Sequence, residues 1–209
     1  MPTEPDKFYV GMIDFFSIIL PGFVLAFYLN ILISNGKIPV PFVASLSEPE
    51  RWVVLIVGSY ILGHFIFLIG SFLDRAYDAV REKIVPFEKN LPLKTALDIK
   101  NKRLTELGLN NSAINAFQWA KCRLALEYPG ALNHVQRLEA DSKFFRSLLV
   151  ILVILCVIFA QANQGWWALV CLLLAIASVW RYGEQRYKST RQAYWYLIAL
   201  ESVAKKTHP

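Results

Sequence analysis

The sequence predicts an all-α fold in which a four-helix transmembrane bundle carries a small helical cytoplasmic layer. Three observations predict it. Only 18% of the 209 residues are charged, whereas a soluble domain carries about a quarter. The mean hydropathy is +0.40. Charge-free runs at 15–36, 52–73 and 147–180 are each long enough to cross about 30 Å of hydrocarbon.

The predicted spans are separated by polar segments. The last charge-free run is too long for one crossing, and its polar sequence Gln161-Ala-Asn-Gln-Gly165 predicts a tight turn between two spans. The leader lacks a basic stretch and a small-residue cleavage site, so we expect the first helix to be retained as a span. In chain order we predict a leader at 1–11, spans at 12–34, 52–73, 144–160 and 166–182, an external loop at 35–51, a cytoplasmic insertion at 74–143, an external turn at 161–165 and a cytoplasmic tail at 183–209.

Basic residues predict the orientation of these spans, because Lys and Arg are retained on the cytoplasmic side. They follow the second and fourth spans and precede the third, whereas the loop 35–51 carries two of them and the turn 161–165 carries none. For a bacterial inner membrane, we therefore expect a multi-pass protein with both termini in the cytoplasm.

The insertion is predicted to be helical. The second span should continue as a helix until Pro86, and Pro92 should open a helix that ends near Gly108. The side chains of Asn110-Asn-Ser112 should cap a further helix at 113–128.

The last cytoplasmic helix and the tail complete the layer. Pro129-Gly130 should end the preceding helix, and a new one should run from Ala131 into the third span, because no Pro or Gly follows before Gly165. The tail segment 193–200 is apolar on every side and must be covered by the helix 113–128, by the same helix of a neighbouring subunit, or by the lipid interface. Candidate assembly or partner contacts are Tyr194, Trp195, Tyr196, Leu197 and Leu200.

Polar residues within the spans concentrate in the first two helices. Because lipid-facing polar groups are costly, we expect these helices to turn their polar stripes toward each other or toward a symmetry axis. Gly63 and Gly70 should let another helix approach closely. The candidate bundle-facing and hinge residues are Asp14, Ser17, Pro21, Gly22, His64, Ser71 and Asp74.

Two interpretations of these residues remain open. Asp14 and His64 could line a proton or ion pathway. Alternatively, Asp14 and Asp74 pair at the cytoplasmic boundary with Lys7, Arg75 or a helix end, and His64 makes one interhelical hydrogen bond. The second interpretation is favoured, because a single histidine has no second titrating group at a matching depth. Pro21-Gly22 invites a kink, which is either a gating hinge or a packing feature.

Basic residues of the insertion form a candidate face for an anionic ligand or for lipid headgroups. A solvated helix surface is the favoured alternative, because Asp98 and Glu106 weaken the field. Nucleic acid is not expected as a partner, since no recognised nucleic-acid motif accompanies the charges. The candidate face comprises Lys94, Lys100, Lys102, Arg103, Lys121 and Arg123.

Several classes are excluded or disfavoured by the sequence. The chain has 10 Gly, 10 Pro and 3 Cys, which excludes collagen, intrinsic disorder and a disulfide-stapled module. No GxSxG, Walker A or HExxH motif occurs, and the histidines at 64, 134 and 208 are too scattered for a metal site. We therefore expect neither an enzyme nor a cofactor.

Two stretches resemble a known group of proteins. The sequences Ile13–Gly22 in the first span, and Tyr60–His64 with Gly70–Arg75 in the second, resemble small multi-pass bacterial inner-membrane proteins, some of which occur in antiphage defence loci. The four-span membrane subunit of the Kiwa system has a comparable architecture. The resemblance implies a multi-pass membrane protein that is either the membrane-perturbing effector of a defence system or the sensor and anchor of a cytosolic protein partner. We also expect the chain to form a homo-oligomer.

Three functional hypotheses follow. An oligomeric effector would open a leak when its cytoplasmic layer rearranges. A non-conducting scaffold would recruit a partner through residues 74–146 and the tail. A four-span channel or transporter subunit unrelated to defence would need a binding residue near the midplane, and His64 alone approaches that position.

Overall fold

The structure is a computed structural model that describes residues 5–34, 40–84, 90–112 and 114–207. Over these residues it contains helices and no strand, which confirms the predicted all-α fold class. The helices are α1 (Pro5–Ser34), α2 (Pro41–Ala44), α3 (Glu48–Ile84), α4 (Leu91–Glu106), α5 (Ala116–Glu127), α6 (Pro129–Gln161) and α7 (Gly165–Thr207).

Four of these helices are long and apolar enough to cross a membrane, as the sequence predicted. Each contains a stretch with few charges and a length of at least 18 residues. The helical segments that contain such a stretch are Ser17–Ser34 in α1, Glu48–Arg81 in α3, Pro129–Gln161 in α6 and Gly165–Val203 in α7.

The chain forms two compact units. The apolar unit comprises Gly11–Arg75 and Ala140–Tyr182. The amphipathic unit comprises Ala76–Glu139 and Gly183–Pro209, together with Met1–Val10, as far as the structure describes them. Each unit has its own cluster of buried apolar residues.

Two helices end in the same hydrogen-bonded motif, which places a residue with positive φ just beyond the helix. Gly108, with φ of +68°, follows α4, and the Leu109 N–H donates to the Leu104 carbonyl at 2.9 Å. Asn163, with φ of 59°, follows α6, and the Gln164 N–H donates to the Phe159 carbonyl at 2.9 Å. The predicted stops near Gly108 and in the turn 161–165 are confirmed.

The start of α5 differs from the prediction. Asn110 does not cap this helix, because its side-chain oxygen accepts hydrogen bonds from the N–H and hydroxyl of Ser112 and so closes a local turn. The cap is Asn115, whose side-chain oxygen accepts from the Gln118 N–H at 2.8 Å. The helix therefore begins at Ala116 instead of Ala113, which lies outside the described residues.

The remaining helix predictions have mixed outcomes. Helix α6 begins at Pro129 and runs without interruption to Gln161, as the absence of Pro and Gly predicted. Helix α7 is also continuous, through Gly183 at the predicted boundary between the fourth span and the tail. The predicted helix end at Pro86, residues 35–39 of the loop and residues 1–4 of the leader lie outside the described residues.

The apolar unit buries serines together with large aliphatic side chains and exposes many other large apolar side chains. Ser17, Ser59, Ser147 and Ser178 are buried, as are Ile66 and Ile151. Small residues at helix contacts and large apolar side chains on the outer surface are typical of helices that pack within lipid. Exposed large side chains include Phe23, Phe27 and Ile31 of α1, Phe65 and Phe72 of α3, and Leu172, Leu173 and Ile176 of α7.

The amphipathic unit has an apolar core of its own. Ala120 and Leu124 of α5 pack with Val135 of α6 and with Leu197 of α7. The ring of Phe117 in α5 meets the ring of Tyr194 in α7 edge to face, with centroids 6.5 Å apart. The apolar tail is thus covered by the helix that follows Asn115, which was the first of the three predicted alternatives.

Candidate functional site

Helices α1 and α3 cross in direct main-chain contact within the apolar unit. A Cβ atom at Gly22 would overlap the carbonyl oxygen of Ser59 and lie 2.6 Å from the nitrogen of Gly63. A Cβ atom at Gly63 would overlap the carbonyl oxygen of Ile18. The two glycines therefore allow a separation that no other residue permits. Ser17 and Pro21 are also fully buried at this crossing.

A buried ion pair joins α3 to α6 elsewhere in the apolar unit. The guanidinium of Arg146 donates to the Asp74 carboxylate, and the side chain of Arg146 is 6% exposed. The Tyr182 hydroxyl in α7 donates to the other carboxylate oxygen of Asp74 at 2.6 Å. One carboxylate thus links three helices. Asp74 pairs with Arg146 instead of Arg75, the partner named from the sequence.

The surroundings of Arg146 explain how a cation is accommodated there. Its guanidinium carbon lies 4.5 Å from the centroid of the Phe67 ring, a cation–π distance. A Cβ atom at Gly70 would lie 3.2 Å from Arg146 Cγ, so the glycine makes room for the arginine stem. Sequence reasoning treated Arg146 only as a topology signal. The signal that could have identified it is Gly70 four residues before Asp74, a small residue next to an acid on one helix face.

The other predicted bundle residues are dispersed. The ring of His64 is exposed and contacts Tyr60 on the outer side of α3, so within one chain it does not face the bundle. Of the two predicted directions, toward the neighbouring helix or toward a symmetry axis, the position of His64 in one chain is compatible only with the second. The Ser71 hydroxyl donates to the Leu68 carbonyl of its own helix at 2.6 Å. Asp14 belongs to α1, and its side chain lies outside the described part of the structure.

The predicted basic face does not exist as one surface. Lys100 is 4% exposed, and its ammonium donates to the carbonyls of Asn111 and Ile114 at 2.7 and 3.1 Å. Its role is to hold the α4–α5 connection, because the ammonium donates to two main-chain carbonyls of that connection. Lys94 and Lys102 remain exposed on α4.

The other three cations of that face are in ion pairs. Arg103 donates to Glu201 at 2.7 Å, and the charges of Glu201 and Glu106 raise the pKa of the Arg103 guanidinium. Lys121 lies 2.5 Å from Glu139, and Arg123 lies 2.7 Å from Glu127. Neighbouring carboxylates thus reduce the field that an anionic ligand would meet.

The candidate contacts of the tail divide between the core and a groove. Tyr194 and Leu197 are buried in the amphipathic unit and are not available to a partner, which corrects their assignment as contact residues. Trp195 is half exposed. Tyr196 and Leu200 line an apolar groove of about 460 Å³ between α5, α6 and α7. The other lining residues are Leu124, Glu127, Tyr128, Ala131, Ala199 and Val203.

The chemistry of these sites is that of packing, charge pairing and apolar binding. Among the described residues no cluster of His, Cys, Asp and Glu has the geometry to hold a metal ion. His134 Nδ1 lies 2.9 Å from the Tyr196 hydroxyl at one side of the groove. This hydrogen bond holds the Tyr196 ring in its place in the groove wall. The groove is a concave, largely apolar surface of the kind that binds ligands.

Comparison with known proteins gives no match to a family model, to a curated protein or to a solved structure.

Proposed function

We propose that the chain is an oligomeric inner-membrane protein of a bacterial defence system and that it acts as the sensor and membrane anchor of a cytosolic partner protein. The observation that carries the partner role is the apolar groove beside Tyr196 and Leu200. The amphipathic unit already buries a core of its own, so the groove is available for another molecule. The defence context comes from the resemblance of the first two spans, and the four apolar helices support the anchor role.

The groove is suited to the apolar face of a helix from the partner. Aliphatic and aromatic side chains of α5, α6 and α7 form its walls, and it contains few polar atoms. An amphipathic helix would place residues at positions i, i+4 and i+7 between these walls. The carboxylate of Glu127 and the hydroxyl of Tyr128 would lie at the edge, where polar groups remain hydrated.

A matched pair of variants tests this proposal. Val203 lines the groove and is 62% exposed, whereas Leu126 is 84% exposed and lies outside it. The full chain should be purified from its own host in nanodiscs and analysed by native mass spectrometry. We expect a stoichiometric soluble companion with the wild type and with Leu126→Glu, and its loss with Val203→Glu.

Phage challenge provides the functional readout. Val203→Glu should abolish protection of the host while Leu126→Glu preserves it. Equal protection by both variants would contradict the partner role of the groove. Failure of the wild type to protect against any phage would remove the defence context and favour a four-span channel or transporter subunit unrelated to defence.

A second candidate function is a membrane-perturbing effector. The observation that favours it is His64, a titratable side chain on the outer surface of an apolar helix, where an oligomer would place it at an interface or axis. His64→Ala should then change ion leak from proteoliposomes at unchanged expression, whereas Phe65→Ala should not. A scaffold shows no leak with either variant.

A further inference from the structure

His64 occupies an unusual position for a titratable residue. It lies 12 residues after Trp52 and 11 residues before Arg75 in one continuous helix. At 1.5 Å per residue these separations are about 18 Å and about 16 Å, which places the imidazole near the middle of the span. The neighbouring side chains Ile61, Phe65 and Leu68 are exposed and apolar.

The imidazole has incomplete polar contacts in a single chain. Its ring meets the Tyr60 ring edge to face, with centroids 4.5 Å apart. None of the described residues hydrogen bonds to the ring nitrogens of His64. Hydrocarbon has no donor or acceptor to offer, so a polar side chain in the middle of a span normally faces protein.

The spacing of the residues around His64 is that of a helix–helix seam. Val57, Ile61, His64, Leu68 and Ser71 are separated alternately by four and three residues, which is the heptad spacing of a left-handed helix pair. Val57, Ile61, His64 and Leu68 are exposed, and Ser71 is partly exposed. A polar residue within such a seam fixes the register of the two helices.

A second copy of the chain is the occupant that fits this seam. Two copies with the same orientation in one membrane place each residue at the same depth, so His64 of one copy meets His64 of the other. A neutral imidazole has one donor and one acceptor, and it therefore complements another imidazole across a two-fold axis. A different protein would need its own polar group at that depth.

We propose that two copies associate through this seam of α3, with a hydrogen bond between the two His64 side chains. The inference rests on the membrane location and oligomeric state in the proposed function, and it specifies which helix face forms the contact. Tyr60 packs beside each imidazole and holds its orientation.

Dimerisation of the full chain in liposomes tests the seam. Association should be measured by energy transfer between labelled copies over a range of protein-to-lipid ratios. We expect His64→Leu to weaken association about three- to fifteen-fold, the range that interhelical hydrogen bonds produce in membranes. His64→Gln, which retains a donor and an acceptor, should stay close to the wild type.

Cysteine cross-linking provides a measurement that does not depend on replacing His64. In a background where Cys122, Cys156 and Cys171 are serine, Ile61→Cys should form disulfide-linked dimers on mild oxidation. Ile69→Cys, which is exposed on another side of α3, should not.

The outcomes separate this inference from the proposed function. The seam is wrong if His64→Leu dimerises as well as the wild type and Ile69→Cys cross-links instead of Ile61→Cys. In that case the protein is still an oligomer, and the oligomeric part of the proposed function stands. If the wild type stays monomeric at every ratio, both are overturned. Loss of phage protection by Val203→Glu is independent of either result.

Discussion

The Arg146 guanidinium and the Asp74 carboxylate form an ion pair between positions 72 residues apart in the sequence. Both lie in the apolar unit, and the arginine side chain is 6% exposed. Burying the arginine charge is costly, and the Asp74 carboxylate, whose side chain is 25% exposed, offsets that cost while it accepts a further hydrogen bond from the Tyr182 hydroxyl. Removing one charge should therefore lower the free energy of unfolding more than removing both charges.

Replacement of Asp74 by Ala should strongly destabilise the apolar unit. The change leaves the Arg146 guanidinium buried without its counter-charge, at a cost of about 3–5 kcal/mol. The measurement is reversible unfolding of the full chain in mixed micelles, followed by circular dichroism. The double variant Asp74→Leu with Arg146→Met should recover most of the loss, because it removes both charges. A double variant no more stable than Asp74→Ala would contradict this account.

Gly63→Ala should disrupt the crossing of α1 and α3. The added methyl group would overlap the carbonyl oxygen of Ile18, and a main-chain atom cannot move aside without shifting a helix. Forcing such a shift costs about 1–3 kcal/mol. Gly58→Ala is the matched control, since a Cβ there meets no atom within 4 Å. Equal unfolding midpoints for the two variants would show that the helices do not cross at Gly63.

Lys100→Met should destabilise the amphipathic unit, although lysine is ordinarily a surface residue. The change leaves the carbonyls of Asn111 and Ile114 without their donor, which should lower the free energy of unfolding by about 1–3 kcal/mol in total. The control is Lys102→Met on the exposed side of α4, which should change stability by less than about 0.5 kcal/mol. Binding to anionic vesicles should be unchanged by Lys100→Met, and a large loss there would restore the ligand-face interpretation for this residue.

Leu197→Ala should be among the most damaging changes in the tail. Leu197 is 1% exposed in the core formed with α5 and α6, and its truncation costs about 2–5 kcal/mol. Leu126→Ala, at an exposed position, should stay within about 0.5 kcal/mol of the wild type. If Leu197→Ala unfolds at the wild-type midpoint, the tail is not packed against α5.

Local sequence determined much of the fold. The continuity of α6 follows from the lack of Pro and Gly after Gly130, and the end of α4 follows from a glycine able to adopt positive φ. These features depend on a few neighbouring residues, and sequence reasoning identified them. The cap of α5 was misplaced because two asparagine-containing segments precede it, and only the hydrogen bonds show which one caps the helix.

The candidate sites were less predictable because they depend on contacts between distant segments. His64 was expected to face either the neighbouring helix or a symmetry axis, and only the packing of α1 against Ser59 and Gly63 shows that it points away from α1 in a single chain. Lys100 was assigned to a surface because the carbonyls that bind it belong to a connection more than ten residues away. Arg146 was not singled out because its partner lies on another helix.

The contact between α1 and α3 also constrains how this protein can diverge. Where Gly22 and Gly63 meet the opposing main chain, any side chain larger than a hydrogen atom is excluded. Exposed positions such as Phe23 and Phe65 meet no such limit and can exchange among apolar residues. Descendants of the same ancestor that retain this crossing should therefore share two glycines, about forty positions apart, within otherwise variable apolar helices. That pair would identify distant homologues after most other sequence similarity has been lost.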